Sequence, residues 1–100
     1  MPAMTMPTTP TGAAAPVAAN AVSIENFAFS PGDVTVSVGT TVTWTNNDQE
    51  AHTVTADDHS FGSPPLSPGD KYYFTFTKPG TYHYLCTIHP FMTATVVVTP

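Results

Sequence analysis

The sequence predicts an all-β fold, a Greek-key β-sandwich of about seven to eight strands behind an unstructured N-terminal tail. Thr, Val and aromatic residues dominate short stretches of strict alternation, the pattern of strands with one buried face. Eleven Pro and six Gly in 100 residues interrupt any helical period. Turn signals recur at short, regular intervals from residue 30 onward, as a sandwich requires.

The elements follow in order. Residues 1–20 hold six Ala, four Pro, four Thr and three Met with no charge, a composition that cannot bury a core. This stretch lacks the basic start and apolar run of a signal peptide. It is expected to be the flexible tail left after an export signal or anchor is removed. The domain is expected over residues 21–100. Val22, Ile24, Phe27 and Phe29 suggest a first strand, closed by Ser30-Pro31-Gly32. Val34, Val36 and Val38 alternate with Thr35 and Ser37, and Val42 and Trp44 point inward from a strand over 41–46. A polar loop, 46–50, precedes a strand over 52–56. Residues 57–69, with Gly62, Pro64, Pro65, Pro68 and Gly69, form a long irregular connection. Strands over 70–77, 81–86 and 93–98 complete the set, the first two joined by Lys78-Pro79-Gly80.

Composition excludes several functions. Two Lys against seven Asp and Glu give −5, a balance unable to neutralise a phosphate backbone, so nucleic acid is not a partner. No stretch approaches the roughly 18–20 apolar residues of a membrane-spanning helix. One Cys permits no internal disulfide.

The chemistry gathers in Cys86-Thr87-Ile88-His89-Pro90-Phe91-Met92, between the last two strands. Taken singly, Cys86 reads as a small buried hydrophobe and Met92 as a core filler. Together, a thiolate, an imidazole and a thioether on one short loop form a soft donor set suited to copper cycling between Cu(I) and Cu(II). Zinc would recruit a second Cys or a carboxylate, and Met serves it poorly. A fourth donor must come from elsewhere, and His52, after the polar loop, is placed to supply it.

The run Gly80-Thr81-Tyr82-His83-Tyr84-Leu85-Cys86-Thr87-Ile88-His89-Pro90-Phe91-Met92, followed by Val96-Val97-Val98, resembles the cupredoxins, the blue copper proteins, and most of all their amicyanin branch. Asp33-Val34-Thr35-Val36 and Val42-Thr43-Trp44-Thr45-Asn46 also resemble cupredoxin strands, so the resemblance runs from about Ala21 to Pro100. It implies one type 1 copper per chain, with His52, Cys86 and His89 equatorial and Met92 axial. It also implies a small soluble carrier passing one electron between redox proteins in the periplasm or another extracytoplasmic compartment. The alternative is a module that stores, delivers or senses copper. Redox partners are expected to dock transiently on an apolar patch around His89, formed by Pro90, Phe91 and Pro31, with the chain a monomer.

Thr53 stands where many cupredoxins carry Asn or Ser, and its hydroxyl is expected to tie the two ligand loops together. Ile88 stands where amicyanin and plastocyanin carry Pro, which adds an N–H that a loop bending back around copper can aim at the Cys86 sulfur, the alternative being that it points to solvent or to a carbonyl. His83 falls on the strand face opposite Tyr82, Tyr84 and Cys86 and is expected away from the metal. His59, beside Asp57 and Asp58, suggests at most a weak second site, and Met1, Met4 and Met6 a chance of binding Cu(I). An enzyme is not expected. Thioether donors have no role in acyl transfer by a Cys–His pair, and an oxygen-reducing copper centre needs more histidines than remain.

Overall fold

A computed structural model describes residues 16–100 and shows two mixed β-sheets packed face to face. Nine strands occur among the described residues: β1 (Val17–Ala18), β2 (Ala21–Glu25), β3 (Ala28–Ser30), β4 (Asp33–Ser37), β5 (Thr41–Asn46), β6 (Thr55–Ala56), β7 (Lys71–Thr75), β8 (Gly80–Leu85) and β9 (Thr93–Thr99). One sheet has the order β1-β4-β9-β8-β6 and the other β3-β2-β5-β7. The pairs β1/β4, β4/β9 and β2/β5 are parallel, and the remaining pairs are antiparallel.

The alternation read from the sequence becomes the core. Val34 and Val36 on β4, with Val96 and Val98 on β9, face Val22 and Ile24 on β2 across the sandwich. Trp44 is wholly buried, and its indole N–H donates to the Tyr84 hydroxyl at 3.1 Å, joining the two sheets through a satisfied polar contact. Burial pushes the Tyr84 phenol well above its ordinary range, with the Trp44 bond acting in the opposite direction.

Three features depart from the alternation. The expected first strand is a hairpin, because Asn26 (φ 53°) and Phe27 (φ 56°) both turn left-handed between β2 and β3. Two consecutive residues of that kind make the tight turn that suits strand twist. The expected strand over 52–56 is shorter, β6 alone, and His52 is joined only by a bridge to Leu66. Strand pairing also reaches Val17 and Ala18, within the segment assigned to the tail, through β4. Met1, Met4 and Met6 lie outside the described residues.

Candidate metal centre

The site forms at one end of the sandwich, where two loops meet. Cys86 directly follows β8 and Met92 directly precedes β9, so the antiparallel β8/β9 pair fixes both ends of the loop between them. Cys86 N–H donates to the Met92 carbonyl at 3.1 Å, and Met92 N–H to the His89 carbonyl at 2.9 Å. His89 is thereby held at the crest of a closed loop.

The facing loop begins at Asn46, the last residue of β5, which is wholly buried. Its amide donates to the carbonyls of Glu50 (2.9 Å) and Leu66 (2.8 Å), and its Oδ1 accepts the Asp48 N–H (2.9 Å). A side chain with all its bonds made inside the protein replaces water as the loop's partner. His52 exchanges backbone hydrogen bonds with Leu66 in both directions and is wholly buried.

Among the described residues, one group of potential metal donors converges: His52, Cys86 and His89. The Cys86 Sγ lies 3.7 Å from the Nδ1 atoms of both histidines, which are 3.2 Å from each other. The point equidistant from these three atoms lies about 2.1 Å from each, within the roughly 2.0–2.3 Å of metal–nitrogen and metal–sulfur bonds. Met92 is buried at the end of the same loop. A thiolate and two imidazoles, with the thioether that the same loop carries, are donor types copper accepts in both oxidation states.

The tautomer of His52 suits this arrangement. Its Nε2–H donates to Asp48 Oδ2 at 2.9 Å, leaving the Nδ1 lone pair directed at the other donors. The bond to His52, and then that from Phe27 N–H, hold the Asp48 carboxyl below its ordinary range. Phe27, on the hairpin turn, stands edge-on to His52 (5.4 Å between ring centroids) and to His89 (5.0 Å).

The Cys86 sulfur takes its amide hydrogen bond from Thr53, at 3.3 Å. The expectation for Ile88 is therefore corrected: no Ile88 N–H to sulfur bond occurs among the described residues, and Ile88 is half-exposed instead. The expectation for Thr53 holds, since its Oγ1 accepts the Thr87 N–H at 2.8 Å and links the two loops. Thr53→Val keeps the side-chain shape but removes that acceptor. It is expected to cost about 1–2 kcal/mol by thermal melting, and an unchanged melt would show that the link adds nothing.

Burial alone would push the Cys86 thiol up, but bonds from Thr53 N–H, His52 and His89 outweigh it and bring the pKa down to about 6. Because the folded value lies below the unfolded one, this stabilisation of the metal-free chain is complete above pH 9.0 and is lost as pH falls through about 6. Thiolate ultraviolet absorbance of the metal-free protein is expected to titrate near pH 6. A midpoint at 9.0 or above would overturn this account.

His83 lies on the outer face, where its Nδ1 is 3.0 Å from Thr95 Oγ1, and His59 is not part of the converging group. Sequence reading did not single out Asp48, Phe27 or Asn46. The only available signal was Asn26, a residue tolerant of left-handed backbone, next to Phe27.

A two-sheet sandwich that brings a cysteine sulfur and two imidazoles together between loops at one end defines a protein with, among its described residues, one candidate soft-donor metal centre. The chain belongs to the cupredoxin-like domain family, which it matches over residues 2–98. Amicyanin from Paracoccus denitrificans is 38% identical, over 94% of this chain and 77% of that one. A purple cupredoxin from Nitrosopumilus maritimus is 33% identical with a TM-score of 0.77, over 81% of this chain and the whole of that one. A copper-containing nitrite reductase from Thermus scotoductus is 32% identical with a TM-score of 0.76, over 92% of this chain but only 25% of that one.

Proposed function

We infer that this chain is a blue copper electron carrier, in which His52, Cys86 and His89 would hold the ion and Met92 would serve as a weak fourth donor. The observation that carries the reading is the donor triangle of two buried residues and half-buried His89, whose dimensions suit one ion and whose atoms suit copper in both states. Copper held there supplies a one-electron Cu(II)/Cu(I) couple. The protein's part is to keep the donors still while the charge changes. Asn46, Asp48 and Thr53 do this by fixing the two loops to each other and to the sandwich.

A partner reaches the centre from the His89 side. His89 is half-buried, Phe91 beside it is 71% exposed, and Ile88 and Phe27 are partly exposed. This small apolar face, with Pro90, suits brief encounters with other redox proteins. The −5 charge favours partners with basic surfaces. The same reading takes the chain as a monomer working in the periplasm or another extracytoplasmic space. No helix among the described residues is long and apolar enough to cross a membrane. Catalysis is not proposed. This chain matches only a quarter of the nitrite reductase, and one donor group converges among its described residues.

Addition of Cu(II) to the metal-free protein tests the reading. One equivalent should give an intense blue or purple band that a one-electron reductant bleaches and an oxidant restores. A colourless protein that holds only exchangeable Cu(I) would point instead to storage or delivery.

A further inference from the structure

One oxygen of one carboxylate joins two parts of the site that are far apart in sequence. Asp48 Oδ2 accepts the His52 Nε2–H at 2.9 Å and also the Phe27 backbone N–H at 3.0 Å. The Asp48 side chain is 13% exposed, and the residue is anchored behind by its own N–H to buried Asn46. Phe27 occupies the second position of the β2/β3 turn at φ 56°, where glycine is the usual occupant and a bulky side chain is a rarity. Its ring crosses both imidazoles at nearly right angles, 87° to His52 and 89° to His89, and stacks at 28° on Phe91. Nothing in the turn itself requires an aromatic residue. The ring's contacts lie entirely on the metal side of the turn, with two of its three aromatic partners in the donor triangle.

We propose that Asp48 and Phe27 act as one positioning unit for the metal centre, in which the carboxylate sets the His52 tautomer and, through the same oxygen, holds the aromatic ring across both imidazoles. The two residues then do one task together. Asp48 keeps the His52 Nδ1 lone pair aimed at the ion, and Phe27 covers the imidazoles on the side from which water or a chelator would approach. Loss of the carboxylate frees the ring of His52 and also releases the turn that carries Phe27. The unit therefore governs how slowly a bound ion leaves, whether or not that ion changes oxidation state.

The inference rests on His52 and His89 being ligands, and the experiment separates the two claims. The protein is loaded with Cu(II) in one series and with redox-inactive Zn(II) in another. Metal loss to excess chelator is then timed for the wild type, Asp48→Asn, Phe27→Gly and the double variant. Phe27→Gly retains a residue suited to the turn, so its fold survives, and the melts of the metal-free proteins verify this. Asp48→Asn is expected to speed loss of both ions about 10- to 100-fold, and Phe27→Gly to speed it by a smaller factor. The double variant should fall short of the product of the two single effects, because both act through one connection. In the diamagnetic zinc protein, the His52 Nε2–H proton should give a slowly exchanging NMR signal that Asp48→Asn, whose amide oxygen is a weaker, uncharged acceptor, moves upfield and makes faster to exchange, a change a merely structural role would not produce. Off-rates that multiply, or an Asp48→Asn protein that keeps both its off-rate and that proton signal unchanged, would overturn the unit. A wild-type chain that takes up neither ion would remove both this inference and the ligand assignment beneath it.

Discussion

Cys86→Ser is expected to abolish the visible band completely while leaving the sandwich folded. The intense colour of such a centre arises from charge transfer between a thiolate sulfur and Cu(II), and serine offers no sulfur and no anion near neutral pH. The hydroxyl still fits the wholly buried position and can still accept the Thr53 N–H, so the metal-free variant should melt close to the parent below about pH 6, where the Cys86 thiol is itself protonated, and below the parent at higher pH. Met92→Ala provides the contrast. Its bond to copper is weak, so colour should survive while the reduction potential moves. Absorbance spectra of the two copper-loaded variants decide the matter, and a blue Cys86→Ser protein would sink the ligand assignment.

Asn46→Ala is expected to have the largest effect on stability of any polar substitution at the site. The wild-type side chain meets the Glu50 and Leu66 carbonyls and the Asp48 N–H, all from a wholly buried position. Alanine leaves a cavity and removes three hydrogen bonds, of which those at the loop surface can be replaced by water. A loss of about 3 kcal/mol is expected, or a fall of roughly 12–24 °C in melting temperature for a domain of this size. Copper affinity should fall as well, because the loop released carries both Asp48 and His52. A drop of only a few degrees would show that the loop is held by other means.

The strands were legible because Val, Trp and Tyr alternate cleanly with Thr along β4, β5 and β8, where one face is buried and the other is not. The ligands on the second loop were legible because three unlike donors within seven residues have no shared structural use. His52 could be singled out by its position after a polar loop, although the strand expected to begin there shortens to Thr55–Ala56 and leaves His52 on a single bridge with Leu66. The Asn26-Phe27 turn was not legible, since Phe is no turn residue and its left-handed backbone is stabilised by tertiary contacts with Asp48 and the imidazoles. Asp48 was hidden for a related reason. A carboxylate in a polar loop looks solvated until the fold places a histidine against it. The sulfur's amide donor was likewise a matter of which loop comes closer, and Thr53 on the facing loop supplies it.

The placement of the donors along the chain also decides how much a metal ion stabilises the fold. Three of the four proposed ligands, Cys86, His89 and Met92, lie within seven residues, so an unfolded chain still offers them to the ion as a short peptide would. Binding to the unfolded state subtracts from the stabilisation that binding to the native state provides. What only the folded chain can add is His52, thirty-four residues before Cys86, in the orientation that Asp48 imposes. The gain in melting temperature on loading therefore measures chiefly the hold of one histidine. Replacing His52 should uncouple metal binding from folding far more completely than replacing Met92, even though both changes remove a single ligand.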